Sequence, residues 1–407
     1  MLARRCPRHP AAVSQTSATR TTLRTATGIS KSLLPLLACL YLPFIGGGFL
    51  TDDFAHVEHI AALDSAARLV DAPDAFQFYR PVTQASLALD VALHGRNATW
   101  SRLLNVVLHG ILTGLAFVVA RLVLATPFAA TVATLVFALI PKAHPIAVLW
   151  ISARAELLMA AFSFASVAAW IGWTRRRRTG NRAMCAQPAE LHRPNGHCAA
   201  SARDGVVHRQ ADRESPRASW PAEGSQPLLV VYMIDPWVIA FSFAWMLVFL
   251  APVLPIVSRS ELYLYLPVFG VCLLAGLAAD ALVWRVAAHR VVRIALTVYV
   301  TALVSYQAWR ALAIHRDLVF SQKLVVALRG SDELRGREGR VVLLPADDMT
   351  ERFLQDSIGG YLHIVLPHAL GTRKLTGAIQ YRGQPPPSGD LHFRCQYDRD
   401  EVTLKRM

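Results

Sequence analysis

Asp52 and Asp53 stand side by side directly after the first long apolar run, and no acidic residue precedes them. Two carboxylates held at one point suit proton transfer. Later apolar runs carry polar residues near the same end: Arg80, then Asn105 and His109, His144, Arg154 with Glu156, and finally Arg259, Glu261, Tyr263 and Tyr265. Ionisable groups at membrane depth are costly and usually mark a pathway or an active site. Singly, each also reads as an interhelical hydrogen bond or a snorkelling chain end, and Tyr263 with Tyr265 as an aromatic belt. Gathered on one side, the set reads as the lining of a cavity.

The elements that must position these residues are membrane helices. Hydrophobic residues make up 54% of the 407 and charged residues 17%, more apolar surface than a soluble core hides, and it comes in long blocks. A bilayer core of about 30 Å takes about 20 helical residues. Seven runs are candidate spans: 32–50, 103–124, 127–140, 155–173, 236–257, 262–284 and 292–309. The third is short and crosses only as a hairpin partner or a broken helix shielded by protein. Gly46, Gly47 and Gly48 loosen the outer end of the first, which reads as an uncleaved signal anchor.

Arg4, Arg5, Arg8, Arg20, Arg24 and Lys31 precede that run, so the positive-inside bias puts the N-terminus in the cytoplasm. Strict alternation then places the arginines at 175–178, and Arg285, His289, Arg290 and Arg293, on the same side, and the aspartate pair outside. The +14 net charge is explained by these flanks without a nucleic-acid partner; the expected partner is membrane lipid. The layout is a basic tail (1–31), an N-terminal membrane half (32–173) with an outer loop (51–102), a disordered basic linker (174–227), a second membrane half (228–310) and an outer soluble module (311–407). The fold class is an all-α polytopic membrane protein of about seven spans with a small C-terminal α/β module.

In the outer loop, Val57, Ile60, Leu63 and Val70 fall at helical spacing opposite His56, Glu58, Asp64 and Arg68, predicting one short helix lying in the interface as a roof. In the module, 341–344 and 391–397 predict strands, 350–357 a helix, and 361–366 a short apolar stretch ended by Pro367. Cys185, His192, His197 and Cys198 fit no tight zinc spacing, and the six cysteines form no disulfide framework. No cofactor is implied; a divalent metal is the one left open.

Five segments occur in a telling order: Thr51-Asp52-Asp53; Tyr79-Arg80-Pro81-Val82 leading into Leu87-Ala88-Leu89-Asp90; Leu104-Asn105-Val106-Val107-Leu108-His109; Ala147-Val148-Leu149-Trp150-Ile151-Ser152-Ala153-Arg154-Ala155-Glu156; and Leu262-Tyr263-Leu264-Tyr265-Leu266-Pro267. Together they resemble the GT-C superfamily of integral-membrane glycosyltransferases, above all the protein O-mannosyltransferase type and the transmembrane mannosyltransferases that carry tetratricopeptide repeats. The resemblance implies a multi-pass protein of a bacterial inner membrane that transfers a sugar, with inversion, from a polyprenyl-phosphate carrier to an acceptor at the outer face. Asp52 or Asp53 is then the base or the organiser of the reacting groups. The lipid phosphate leaves already ionised and needs no general acid. Arg80, Arg154 and Arg259 are the candidates to hold it, because a guanidinium fork matches phosphate oxygens; Asn105, His109 and His144 shape the cavity.

The chain departs from the family pattern at Ile146, where a Glu is usual, at Arg102, where a His is usual, and in the linker, which stands where further spans are common. These departures favour a first alternative, a scaffold of this type that binds lipid or a partner without catalysis. A second alternative, a transporter or flippase, predicts repeat symmetry between the halves.

Overall fold

The apolar run that opens the chain is helical over Pro35–Phe44 (α1) and then turns. This computed structural model describes residues 35–63, 65–71, 73–140, 143–185, 236–252, 254, 264–285, 289–371, 374–381 and 391–407. The basic tail, most of the linker, and Arg259, Glu261 and Tyr263 lie outside them. Gly46, Gly47 and Gly48 do not loosen the end of α1; they dock it. A Cβ on Gly47 would stand 2.7 Å from Leu318 Cβ, and one on Gly48 2.8 Å from the Gln322 nitrogen. Gly47 also has φ +104°, which only glycine adopts without strain. The turn lies flush on a later helix, where Gly48 N–H donates to the Leu318 carbonyl at 2.8 Å.

Three short helices follow, α2 (Asp53–Ala61), α3 (Arg68–Asp71) and α4 (Pro81–His94). The single helix expected over 57–70 is therefore two pieces, and the apolar face of α2 packs into protein. Its Phe54, Val57 and Ile60 are buried in a core shared with the C-terminal module, because that packing hides more apolar surface than a headgroup layer would. α5 (Ala98–Val123) starts at Asn97, whose side chain accepts from Thr99 N–H at 3.0 Å. There follow α6 (Pro127–Ala138), α7 (Ala143–Leu149), a tight turn at Ile151–Ala153, α8 (Arg154–Cys185), α9 (Pro236–Leu250), α10 (Val268–Arg285) and α11 (His289–Gly330). α6 and α10 approach closely through small residues: a Cβ on Gly276 would meet the Ala129 carbonyl at 2.4 Å, and the Thr126 hydroxyl donates to Asp280 at 2.8 Å.

The chain is mostly helical with a small C-terminal sheet. Among the described residues, Ala98–Val123 and Ile151–Arg177 are long and apolar enough to cross a membrane, and four shorter apolar helices accompany them. The 15 residues of α9 reach about 22 Å, short of the roughly 30 Å of a bilayer core. Residues 1–169 with 234–407 make one unit and 170–233 a second; the site described below lies wholly in the first.

The 42-residue α11, about 63 Å at 1.5 Å per residue, carries Phe320, Leu324 and Leu328 into the core of the C-terminal module. That module runs β1 (Gly339–Pro345), α12 (Asp348–Ser357), α13 (Leu362–Leu370), β2 (Leu375–Ile379), β3 (Leu391–Asp398), β4 (Glu401–Arg406). The sheet order is β2-β1-β3-β4. β1 lies parallel to β2, with Val341 opposite Gly377, and parallel to β3, with Leu343 opposite Phe393; β3 and β4 are antiparallel. Pro367 does not end the apolar stretch, since α13 continues through it to a left-handed Gly371.

Candidate functional site

The aspartate pair sits where the docked turn becomes α2, and its two members have different surroundings. Asp53 is fully buried. Its Oδ2 accepts from Leu50 N–H at 3.2 Å and its Oδ1 from Ser152 N–H at 2.8 Å. Asp52 is partly buried and uses Oδ1, which accepts from the Ser152 hydroxyl at 2.9 Å and from Thr51 at 3.2 Å. Ser152, in the turn before α8, thus stitches both carboxylates with one residue.

Burial, then the neighbouring Asp52 charge, push the Asp53 carboxyl up to about 7, against the pull of Arg102 and the two backbone N–H groups. Burial also raises Asp52, opposed by Ser152, His56, Thr51 and Trp150. A carboxylate raised toward neutrality is a better proton acceptor than an ordinary one.

His56, one turn into α2, faces this pair; burial lowers its pKa, and the Asp52 and Asp74 charges raise it. Its ring meets Phe76 at 5.1 Å, and Phe76 meets Tyr361 of the C-terminal module at 6.0 Å. The Asp52 charge reaches Tyr361, whose phenol is raised first by burial and then by that charge. Asp74 shapes the intervening loop by accepting from Phe76 N–H and Phe78 N–H, each at 2.9 Å. Arg80 lies 3.9 Å from Asp74, over the Phe78 ring, with a third of its side chain exposed. Of the arginines proposed for a phosphate, Arg80 is the one described with donors to spare.

Arg154 is a correction to that expectation. Its guanidinium is fully buried and each nitrogen is engaged: Nε donates to Asn105 Oδ1 at 2.9 Å, Nη1 to the Ser86 hydroxyl at 3.1 Å, Nη2 to the Ser101 carbonyl at 2.8 Å. Nη1 also pairs with Asp90 at 2.7 Å. Asn105 completes the knot by donating to the Trp150 carbonyl at 3.2 Å. These groups tie α4, α5 and α8 together and leave no fork for a ligand. Arg102 does the same for the glycine turn, donating to the carbonyls of Leu149, Ile45, Gly47 and Gly48. Arg102 is therefore a structural clamp.

His109 and His144 form a separate cluster. His109 Nδ1 and the Tyr265 hydroxyl are 2.7 Å apart, the two imidazole rings lie 4.9 Å apart, and Tyr265 leans on His144 at 4.5 Å. All three residues are fully buried, and His109 lies roughly 16 Å along α5 at 1.5 Å per residue. The single chamber expected from the sequence thus divides into an aspartate group, an Arg154 knot and a histidine group. Glu156, in the first turn of α8, is partly buried and feels the Arg80 charge, on the aspartate side. Arg259, Glu261 and Tyr263 lie outside the described residues. Among the described residues no three His, Cys, Asp or Glu side chains converge as metal ligands.

Comparison with family profiles, characterised proteins and solved structures finds no match.

Ser152, Asp74, Asp90 and Tyr361 are the site residues that local reading misses. Ser152 lies between Ile151 and Ala153, and Asp90 between Leu89 and Val91; a polar residue between apolar neighbours was the available signal. Tyr361 carries no such signal, since it reaches the pair only through the packing of α13 against α2.

Proposed function

We propose that this chain is a membrane glycosyltransferase that moves a sugar, with inversion, from a polyprenyl-phosphate carrier to an acceptor at the outer face of the membrane. The observation that carries the reading is the division of labour between Asp52 and Asp53. Asp53, fully buried and held by two backbone N–H donors, fixes the turn; Asp52, the less buried of the two and engaged by the Ser152 and Thr51 side chains, is the member left to meet a substrate hydroxyl. Asp52 takes the acceptor proton as the hydroxyl oxygen attacks the anomeric carbon. The bond to the carrier phosphate breaks, and its electron pair leaves with the phosphate. Arg80, whose donors have only Asp74 as a partner among the described residues, is placed to meet that phosphate.

The reading includes seven crossings, an N-terminus inside and the C-terminal module outside. Outward apolar side chains support it: α5 exposes Val107, Ile111 and Val118, and α8 exposes Met159 and Phe162, as lipid contact requires. Purified full chain assayed with radiolabelled polyprenyl-phosphate sugars tests the reading, with transfer expected from the parent and none from Asp52→Asn. Undiminished transfer by Asp52→Asn, Asp53→Asn and the double variant would remove the role of the pair. A second reading, a lipid-binding scaffold without catalysis, is favoured by Ile146 and by the closure of Arg154. It predicts no transfer by the parent in the same assay.

A further inference from the structure

Glu58 lies two residues after His56, about 200° around α2 at 100° per residue, and so turns away from the aspartate pair toward a different cleft. That cleft, about 450 Å³ in volume, lies between the glycine turn, the turn into α5, α11 and α13. Its size falls within the roughly 300–1,000 Å³ of small-molecule sites. Phe49, Phe54 and Val325 supply an apolar part of the lining; Arg96, Arg329 and His368 supply a cationic and hydrogen-bonding part.

Glu58 organises two of those three. It accepts from Arg96 Nη2 at 3.1 Å and from His368 Nδ1 at 2.7 Å. With Nδ1 engaged, the imidazole keeps Nε2 for a ligand, and Phe49 and Phe54 brace its ring edge-on at 5.6 and 5.1 Å. Arg329 donates through Nε to the Ala369 carbonyl at 3.1 Å and has both terminal nitrogens unpaired among the described residues. Two guanidinium groups against one carboxylate leave the cleft positive. Fixed forks of this kind match the oxygens of a phosphate, while the phenyl rings and Val325 offer contact to hydrocarbon.

We infer that the cleft between Arg96, Arg329 and His368 binds the phosphate group of an amphiphilic phosphate ester. The site is built on the opposite side of α2 from Asp52 and does not depend on the transfer chemistry. The test titrates the detergent-solubilised full chain with short-chain phosphatidic acid, short-chain phosphatidylcholine and inorganic phosphate, following heat. Phosphatidic acid is expected to bind more tightly than the phosphocholine lipid, and the Arg96→Gln/Arg329→Gln double variant to lose about tenfold or more, each tenfold being about 1.4 kcal/mol. The ratio of phosphatidic acid to inorganic phosphate affinity tells a lipid-borne from a free phosphate. Arg96→Lys/Arg329→Lys, which keeps the charge but not the forks, is expected to fall between parent and Gln variant and guards against misfolding. Asp52→Asn is expected to bind like the parent, so failure of the cleft and failure of the transfer reading are separately visible. Equal binding by parent and Gln variant, or no preference for phosphatidic acid over phosphatidylcholine, overturns the inference.

Discussion

Two adjacent aspartates with the same chemistry end in opposite roles because of what donates to them. Asp53 accepts two backbone N–H bonds in a buried place. An amide there turns an NH₂ toward one of those N–H groups and leaves it without an acceptor, at a cost of about 1–3 kcal/mol. Asp53→Asn is therefore expected to lower the melting point of the purified chain, and Asp52→Asn to leave it near the parent's. On the rate the order reverses. Loss of a positioned base costs about 10²–10⁴-fold, so Asp52→Asn should eliminate measurable sugar transfer while the chain stays folded. Melting curves and transfer assays on the same preparations check both halves, and an Asp52→Asn protein that melts far lower than Asp53→Asn would reverse the assignment.

At the scale of elements, α5 was legible nearly whole, but α11 continues to Gly330, well past the apolar block at 292–309 and into the module expected from 311, and the junctions between helices were not legible. The apolar block at 103–124 shows as α5, and the first part of the block at 236–257 as α9, because burial in lipid or protein demands an apolar composition throughout. β2 and β4 were missed for local reasons: Leu375–Ile379 is short and holds Gly377, and Glu401–Arg406 is charged along an edge, a design that keeps edges from pairing further. Pro367 reads as a stop, yet Leu362, Val365, Leu366 and Ala369 are all buried on one face of α13, and that packing outweighs the lost backbone bond. The Arg154 knot is a junction of this kind, invisible until α4, α5 and α8 meet. Removing one partner strands a buried charge, so Asp90→Ala is expected to cost about 3–5 kcal/mol, read from chemical or thermal unfolding in detergent.

The contact of α11 with α12 predicts a pH dependence. Burial, then the nearby Asp356 charge, raise Asp317 to about 7, against Arg352 and Arg310. A carboxyl whose folded pKa exceeds its unfolded value binds more protons when folded. Its contribution is complete below the unfolded value of about 3.9 and is lost as pH rises through about 7. The melting point should fall as pH is raised from about 5 to 8, and Asp317→Asn should flatten that fall in part, since Asp53, raised to the same region, and Asp52, raised by burial, contribute as well. An unchanged slope in Asp317→Asn would remove this source.

For the whole molecule the decisive property of the proposed reading is which way the chain sits in a membrane. The positive flanks predict an orientation from charge alone, and the structure adds a physical constraint on it: α2, α11 and the C-terminal sheet share one core through Phe54, Leu324 and Phe393, so the aspartate pair and the module face the same side. Site and orientation are then a single claim. The site's acid pair was readable because both members are adjacent in sequence; its closure by Tyr361 was not, because some 300 residues intervene. Asp400, exposed at the β3–β4 turn, where its carboxylate accepts from the Tyr397 hydroxyl at 2.8 Å, gives a reporter well away from the aspartate pair. In intact cells, Asp400→Cys is expected to react with a membrane-impermeant thiol reagent to a level well above the parent's own cysteines, and Arg175→Cys only after the membrane is opened. The reverse pattern would put Asp52 on the inside, away from any acceptor beyond the membrane, and the proposed reaction would lose its setting.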